Sequence, residues 1–298
     1  MVYAYYPGCT LHQQAAGFRD STAKSAQALG IELAEMPNWQ CCGAVYPLAR
    51  DNLFGVVSAA RNLAAAHDLG QAMVTICSAC YHVHKRTNRL MATDQDARAK
   101  LDAYVETEYD GSGEVLHLLE VIRRDIGFDA LRERVKVPLE GLKVAGYYGC
   151  LLLRPQEELE FDDPEAPRIL EDLIEGLGAE AVTFSHRAEC CGQYLSLSNP
   201  AAAHRCSGAI LRSARRAGAE VVVTSCPLCF FNLDEAQAEL AREDPEFQPL
   251  PVLYFTQLLA LALGAWEQPW LPAEHQVDPG PVLSRFKLPV AEPAGSEE

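Results

Sequence analysis

The sequence lacks a hydrophobic run long enough to cross a membrane. A spanning helix needs about 18 consecutive apolar residues, whereas the strongest candidate, LLALALGAW at 258–266, has only nine. We expect that segment to form a buried helix instead. The N-terminal MVYAYYPGC also lacks the positive start and full apolar stretch of a signal peptide. These absences predict a protein without a transmembrane segment that stays in the cytoplasm.

Positive charge is scarce as well. Across 298 residues, 41 Asp and Glu outnumber 25 Lys and Arg, which leaves a net charge of −16. A nucleic-acid partner is therefore not expected, because a phosphate backbone is bound by clustered Lys and Arg. The sequence also has no G-x-G-x-x-G after a predicted strand, the usual signal for flavin or nicotinamide dinucleotides. Any electrons that the protein uses are expected to come from partner proteins.

Cysteine, in contrast, is abundant. The chain has eleven cysteines, and a disulfide framework is not expected in the cytoplasm, where thiols are kept reduced. Metal ligation or redox chemistry is the better interpretation. Ten of the eleven fall into two sets of five with the same order, a single Cys, then Cys-Cys-Gly, then Cys-x-x-Cys. The first set is Cys9, Cys41, Cys42, Cys77 and Cys80, and the second is Cys150, Cys190, Cys191, Cys226 and Cys229.

The two sets indicate an internal duplication. In both halves 34 residues separate the Cys-Cys pair from Cys-x-x-Cys, and the flanks correspond, YYPGC to GYYGC and VLHLLEVI to VLYFTQLLAL. We therefore predict two tandem domains, 1–140 and 141–298, related by pseudo-two-fold symmetry. The second half has eight more residues between its single Cys and its pair, 39 against 31. We assign them to RPQEELEFDDPEAP at 154–167, whose acidic, proline-rich composition predicts a surface loop.

Strand-like and helical stretches alternate within each half, which is typical of parallel α/β units. The predicted strands are 2–6, 31–36, 72–76, 143–148, 180–184 and 220–224, and the predicted helices are 11–29, 52–70, 168–178 and 201–218. Gly30 and Gly70 are expected to end the first two helices. Each half is thus predicted to be a small parallel sheet with flanking helices. The cysteines follow predicted strands, so we expect them to gather at the carboxyl edges of the sheets, where such folds bind ligands.

Five thiolates from three loops exceed the four ligands of a structural zinc ion. Iron–sulfur clusters contain several irons and accept an extra or bridging thiolate, which suits adjacent cysteines such as Cys41 and Cys42. The glycine after each pair would let the backbone approach a cluster closely. Metal ligation is the main hypothesis, and a scaffold stabilised by zinc stays open beside it.

At these residues the chain resembles the cysteine-rich CCG-domain family, specifically the B subunit of heterodisulfide reductase, over nearly its whole length. The resemblance implies two noncubane [4Fe-4S] clusters, each held by one five-cysteine set, which cleave or form a disulfide between them. It also implies two partners of the kinds found in heterodisulfide reductase, a small ferredoxin-like protein with [4Fe-4S] clusters and a flavoprotein that serves it. Zinc in one domain is the alternative cofactor. The alternative function is a non-catalytic electron-transfer or anchoring role within a larger complex, as in succinate dehydrogenase-type or sulfur-oxidising assemblies.

We expect a substrate pocket between the two cysteine sets. Disulfides handled by this family carry anionic groups, so an acidic protein needs local positive charge to hold one. His186 and Arg187 precede the second pair and are the catalytic candidates, with Arg154 as a further one. His186 is also a candidate proton donor, since a histidine titrates near neutral pH. The alternative is that all three are solvated loop residues.

Four other residues near the cysteine sets are expected to be structural. Cys206, which has no counterpart in the first half, is interpreted as a buried hydrophobic residue. His82 and His84 are expected to face solvent or to cap a helix, and contact with the cysteine site is the alternative. Trp39 is expected either to shield the first set from water or to pack as an ordinary aromatic residue.

Overall fold

Two parallel sheets of four strands form the framework of the protein. The computed structural model describes residues 1–286 other than 48, 50, 107, 267 and 269–273. The sheets have equivalent strand orders, β2-β1-β3-β4 and β6-β5-β7-β8. The strands of the first sheet are β1 Val2–Tyr5, β2 Glu32–Glu35, β3 Met73–Thr75 and β4 Val115–His117. Those of the second are β5 Lys143–Tyr147, β6 Glu180–Ala181, β7 Val221–Thr224 and β8 Val252–Tyr254.

Helices flank both sheets, as the α/β prediction requires. The α-helices within the first half of the chain are α1 Cys9–Gln13, α2 Ala16–Leu29, α3 Val57–Asp68, α4 Ser78–Thr93, α5 Gln95–Val105, α6 Leu118–Val121 and α7 Phe128–Glu133. The later ones are α8 Gln156–Leu159, α9 Ile169–Gly176, α10 Pro200–Arg216, α11 Pro227–Glu243, α12 Phe255–Ala262 and α13 Gly280–Leu283. The predicted fold class is confirmed, and the boundary of the predicted domains at residue 140 stays a prediction.

The structure corrects several predicted elements. Each sheet has a fourth strand, β4 or β8, that was not assigned because three-residue strands are too short to show alternation. The predicted strand 180–184 is reduced to Glu180–Ala181. The predicted helix 11–29 is broken, since α1 ends at Gln13 and α2 begins at Ala16. The predicted end at Gly30 is confirmed: its φ is 70°, and its N–H donates to the carbonyls of the last turn.

Helices from one half pack on helices from the other. Helix α12, which follows the last strand, packs on α2 near the N-terminus. A buried hydrogen bond joins Ser21 Oγ to Thr256 Oγ1 at 2.6 Å, and the ring of Phe18 stacks on Tyr254 at 4.1 Å. In the corresponding place α7 packs on α9. The two sheets therefore share one continuous hydrophobic core.

The prediction of a buried helix for LLALALGAW is confirmed for residues 258–262, which form the end of the buried helix α12. Residues 263–266 lie beyond the helix. No helix among the residues that the structure describes has the length and apolar character to cross a membrane.

The acidic segment 154–167 is more than the predicted surface loop. Most of its charged residues face solvent, but Glu158 is half-buried and pairs with Arg86 at 2.7 Å. Leu159 and Phe161 are buried against the first half of the chain. The Tyr81 hydroxyl donates to the Leu159 carbonyl at 3.0 Å, and the ring centroids of Tyr81 and Phe161 lie 5.7 Å apart. The additional residues of the second half therefore make buried contacts that attach it to the first half.

Replacing Phe161 by Ala tests this attachment. We expect Phe161→Ala to lower the free energy of unfolding by about 3–5 kcal/mol, because a buried ring leaves a cavity that its surroundings fill only partly. Urea denaturation followed by circular dichroism measures the change. Phe54→Ala is the matched control, since 73 % of that residue is exposed, and it should change stability by less than about 0.5 kcal/mol. Equal changes in the free energy of unfolding for the two variants would show that the buried Phe161 ring does not stabilise the attachment of the two halves.

Candidate metal centre

The cysteines of both sets lie where loops leave the carboxyl ends of parallel strands, as predicted. Cys77 follows β3 and stands at the N-terminus of α4, and Cys226 follows β7 and stands at the N-terminus of α11. The single cysteine of each half follows β1 or β5, which lies beside β3 or β7. The Cys-Cys pair follows β2 or β6, the next strand of the sheet. Each set is thus assembled from three loops at one sheet edge, because parallel strands end on the same side.

Within the first set the thiols contact one another in pairs. Cys9 Sγ and Cys41 Sγ lie 3.5 Å apart, and Cys42 Sγ and Cys80 Sγ are separated by the same distance. The thiol of Cys80 also contacts that of Cys77. Cys9 and Cys41 are exposed, whereas the other three thiols are buried.

The second set repeats these contacts with less exposure. Cys191 Sγ lies 3.7 Å from Cys229 Sγ, and Cys190 contacts both Cys150 and Cys191. Cys229 contacts Cys226 in turn. Cys150 and Cys190 are half-buried, although their counterparts in the first set are exposed.

The two sets meet at Cys77 and Cys226, whose thiols contact each other. These cysteines hold equivalent positions in the two halves, so an approximate two-fold axis passes between them. Beside them Ser78 bonds to Ser225 twice, through the hydroxyls at 2.7 Å and from N–H to carbonyl at 3.1 Å. Because Cys41 and Cys42 also contact each other, all ten thiols form one unbroken row that runs from Cys9 to Cys150.

Crowding changes the acidity of these thiols. Contact with Cys80 is the main cause that lowers the pKa of Cys42 to about 7. For Cys80 itself, contacts with Cys42 and Cys77 together with burial hold the pKa well above its usual value. Several thiols packed together cannot all ionise unless a positive charge is added, and a metal supplies it while it binds the thiolates.

The donor atoms in each of the two sets are sulfur atoms alone. Soft thiolates are the ligands of iron–sulfur clusters and of zinc. Among the described residues no three His, Cys, Asp or Glu side chains are arranged as ligands of one metal ion. The thiols follow one another in a row instead.

Two glycines make room for the last cysteine of each set. Gly8 and Gly149, which directly precede the single cysteines, have φ values of 80° and 67°. A Cβ on Gly8 would lie 3.0 Å from Cys80 Sγ, and one on Gly149 would lie 3.1 Å from Cys229 Sγ. Any other residue would strain the backbone and press on a thiol. The repeated Gly-Cys of YYPGC and GYYGC was the sequence signal for this requirement.

Two tyrosines hold the loops that lead into the Cys-Cys pairs. The Tyr6 hydroxyl donates to the Gln40 carbonyl at 2.9 Å, and the Tyr147 hydroxyl donates to the Glu189 carbonyl at 2.7 Å. Both tyrosines occupy equivalent positions, three residues before the single cysteine. The duplication therefore includes the supports of the site as well as its thiols.

A cavity of about 230 Å³ lies over the second set and borders the first half of the chain. Its lining contains all five thiols of the second set, together with Ala44, Val45, Ser78, Tyr148, Leu151, Gln193, Tyr194 and Leu228. None of these described lining residues carries a formal charge apart from the ionisable thiols and tyrosines. The cavity borders both halves but its lining contains no thiol of the first set, so the expected pocket between the sets stays a prediction, and the expected positive charge is not part of this lining.

The catalytic candidates lie outside that lining. Arg187 pairs with Glu171 at 2.7 Å, and the side chains of these residues are only 14 % and 1 % exposed. Glu171 also accepts a hydrogen bond from Tyr148, which lines the cavity. Through Glu171, Arg187 therefore helps to position a residue of the cavity wall. His186 bonds to Ser185 Oγ at 2.9 Å in an exposed loop. Sequence reasoning missed Tyr148 and Glu171, which lie far apart along the chain.

Arg154 is likewise engaged with its own loop. It donates to the Pro164 carbonyl and to Glu165, both at 2.9 Å. Neither this contact nor the placement of His186 and Arg187 tests catalysis, so the assignment of these three residues to the reaction stays a prediction.

The expectation that His82 and His84 face solvent or cap a helix is wrong, since both are buried within α4. His84 Nδ1 bonds to the Cys80 carbonyl at 2.8 Å, and its other ring nitrogen bonds to Asn62 at 3.1 Å. Asn62 in turn holds Gln40 beside the first pair, so His84 supports the first set. A histidine four residues after Cys80 lies one helical turn further on, a spacing that could have revealed this role.

Trp39 and Cys206 are both half-buried. Trp39 is half-buried, packs edge-on against Tyr6 with centroids 5.5 Å apart, and donates to Glu35 at 3.0 Å. Ordinary aromatic packing therefore accounts for it. Cys206 lies within α10 as predicted but is half-buried, because this turn of the helix is not wholly covered.

Replacing Arg187 by Ala should destabilise the fold by about 3 kcal/mol, because it leaves the buried Glu171 carboxylate without its partner. Burial already raises the pKa of Glu171. A carboxyl group with a raised pKa contributes stability that is present at low pH and lost as pH rises through that pKa. The penalty should therefore be larger at pH 8 than at pH 5 in urea titrations. His186→Ala is the control, because this neighbour is half-buried and pairs with no carboxylate among the described ion pairs, and it should be nearly neutral. A pH-independent loss in Arg187→Ala would contradict this account.

Comparison with known proteins decides the family. Residues 3–83 and 144–234 each match the cysteine-rich domain CCG. The chain belongs to the CCG-domain family. It carries the domain twice, as the two cysteine sets predicted.

Three curated relatives match most of the chain. The chain is 35 % identical to the 8-methylmenaquinol:fumarate reductase membrane anchor subunit of Wolinella succinogenes, over 88 % of this chain and 92 % of that protein. It is 30 % identical to a protein of Archaeoglobus profundus that is named as like the B subunit of heterodisulfide reductase, over 88 % and 90 % of the two chains. The B subunit of the ferredoxin/F420H2-dependent CoB-CoM heterodisulfide reductase of Methanosarcina acetivorans is 29 % identical, over 87 % and 88 %.

A solved structure shares the fold. The crystal structure of a hypothetical protein from Helicobacter pylori superposes with a TM-score of 0.71 at 12 % identity. The match covers 97 % of this chain but only 52 % of the other, so this chain spans about half the length of that protein. At this identity the match is informative about the fold alone.

Proposed function

We propose that this protein is an iron–sulfur electron-transfer component of a multi-subunit complex that cleaves, or in reverse forms, a disulfide or related sulfur bond. The observation that carries the proposal is the meeting of two five-thiol sets at Cys77 and Cys226. Each set would hold a noncubane [4Fe-4S] cluster through its five cysteines. The names of the heterodisulfide reductase relatives support the same reaction.

The chemistry requires two electron-storing groups close together. A disulfide takes up two electrons and two protons as it becomes two thiols, and the electrons here would come from partner proteins. Two clusters would supply single-electron storage and iron that holds sulfur. The chain's own residues place the thiols, bring the two sets into contact and limit the access of water to the buried cysteines. A ferredoxin-like protein and a flavoprotein are the proposed partners, and a cytoplasmic location remains part of the prediction.

A second function is favoured by a specific observation. The Wolinella succinogenes relative, at 35 % identity, is named a membrane anchor subunit of a menaquinol:fumarate reductase. This chain would then pass electrons within a respiratory complex without binding a sulfur substrate. Zinc in one set is the alternative cofactor, and it would leave one thiol of the five without a ligand role.

Metal analysis tests the cofactor. We expect protein purified without oxygen to contain about eight irons per chain with matching acid-labile sulfide, as two four-iron clusters require. Cys42→Ser should lose about half of both, since one set is broken and the other is intact. Stoichiometric zinc with little sulfide would rule the clusters out.

A glycine pair tests whether the thiol geometry matters for loading. Gly149→Ala should lose about half of the iron, because its Cβ would press on Cys229 Sγ at 3.1 Å. Gly70→Ala is the matched control, since its φ of 65° also lies in the left-handed region and its Cβ would meet no atom within 4 Å. If both variants lose iron equally, backbone strain rather than contact with the thiol is responsible.

A substrate assay separates the two candidate functions. The complex purified with its native partners should reduce a small disulfide when given a low-potential donor, and Cys191→Ser should abolish that reduction. We expect turnover to be measured as free thiol released per chain. A complex that contains full iron and transfers electrons, yet releases no thiol from any disulfide tested, would favour the anchoring function.

A further inference from the structure

The backbone donates to the Cys-Cys pairs in the same way in both halves. The N–H of Gly43 contacts Cys41 in the first set, and the equivalent N–H of Gly192 lies 3.4 Å from Cys190 Sγ in the second. The N–H of the next residue in each half contacts the second thiol of the pair. The duplication thus includes the backbone donors as well as the thiols.

Asn232 is a side-chain donor to the second set. It stands in α11, three residues after Cys229, and only 6 % of it is exposed. Its Nδ2 donates to the Cys191 carbonyl at 3.1 Å and lies 3.9 Å from Cys191 Sγ. Because an amide nitrogen carries two hydrogens, it can serve both acceptors at once.

Ser196 fixes the direction of this amide. Its hydroxyl donates to Asn232 Oδ1 at 2.9 Å, so the nitrogen of the amide is the end that faces Cys191. The Cys191 carbonyl also accepts a hydrogen bond from the Ser207 hydroxyl at 3.0 Å. A buried amide that is bonded at both ends keeps its N–H dipole on the thiol without competition from water.

The equivalent position of the first half holds a valine. Val83 stands in α4, three residues after Cys80, and its side chain is buried and carries no donor. The two helices that begin at the Cys-x-x-Cys motifs therefore differ at the position that contacts the second set through Asn232.

Two hydroxyls approach the thiols of the first set, and neither replaces the amide. The Tyr6 hydroxyl contacts Cys42, but its single proton is donated to the Gln40 carbonyl at 2.9 Å. Thr10 Oγ1 lies 3.9 Å from Cys9 Sγ in an exposed position. Water competes for the sulfur there, which weakens the effect of the hydroxyl.

We propose that Asn232 raises the reduction potential of the metal group in the second set, through the N–H that it holds on Cys191 Sγ. This inference rests on the proposed function, in which each set holds a cluster that receives single electrons from a partner protein. The partner loses the electron that the group gains, and no bond forms or breaks. The added electron makes the group more negative, and N–H donors to its sulfurs favour that state. Both sets remain part of the sulfur reaction.

Redox titration of the iron-loaded full chain tests this effect. Cys42→Ser should keep only the metal group of the second set, and a further Asn232→Leu replaces the amide by an apolar side chain of similar shape. At the potential where Cys42→Ser is half reduced, the ratio of reduced to oxidised group should be about fivefold lower in the double variant, because a buried hydrogen bond to a charged acceptor is lost. The absorbance of the two forms measures the ratio, and an unchanged or higher ratio would overturn the proposal.

Thr10→Val is the matched control, because the Thr10 hydroxyl lies as far from a thiol as the Asn232 amide does but is exposed. It is made in Cys191→Ser, which should keep only the group of the first set. The ratio should stay nearly the same, since water takes the place of the hydroxyl. A fivefold fall here as well would refute the difference between the two sets.

Ser196→Ala decides the outcome if Asn232→Leu loses iron. It keeps Asn232 and removes the hydroxyl that orients the amide, so the ratio should fall about twofold while the iron is retained. The absence of a fall would then contradict the proposal. Iron and acid-labile sulfide are measured in every variant and in the unaltered chain. If the unaltered chain binds no iron, the proposed function fails, whereas full iron with unchanged ratios refutes only the effect of Asn232.

Discussion

The contact between Cys77 and Cys226 is the constraint on which the rest of the structure depends. Two thiols from equivalent helix starts can meet only if the two sheets present the same edge to each other. Two hydrogen bonds between Ser78 and Ser225 hold that arrangement. One joins their hydroxyls and the other joins their backbones. The crossed packing of α2 on α12 and of α7 on α9 then closes the two halves around one core. The contacts that bring the two cysteine sets together are therefore among those that join the two halves of the fold.

Crowding of thiols has an energetic consequence for the protein without its metals. Neighbouring buried thiols oppose one another's ionisation, and the raised pKa of Cys80 expresses this opposition. A metal group that bound the thiolates would remove the conflict, so metal binding would be coupled to folding. The supports around the site, Tyr6 and Tyr147 above all, hold the loops through backbone carbonyls, which leaves the thiols themselves available as ligands.

Duplication gave the protein two copies of one five-cysteine site, and the loops around the two copies differ. The acidic segment buries Phe161 between the halves, and Ala44 and Val45 reach over to the cavity of the second set. The outer thiols Cys9 and Cys41 are exposed, whereas Cys150 and Cys190 are half-buried and line the cavity. The fold provides the symmetry of the two sites, and the loops around them provide these differences.

The sequence by itself determined the duplication, the α/β class and the two five-cysteine sets, because repeated spacing and strand–helix alternation are local patterns that survive without tertiary contacts. It also indicated the carboxyl edges of the sheets, since parallel strands end on one side. Only the tertiary structure decided that Cys77 meets Cys226, that Arg187 turns to Glu171, and that His84 is buried beneath the first set. Those outcomes depend on which surfaces pack together, and one linear pattern of residues is compatible with many such packings.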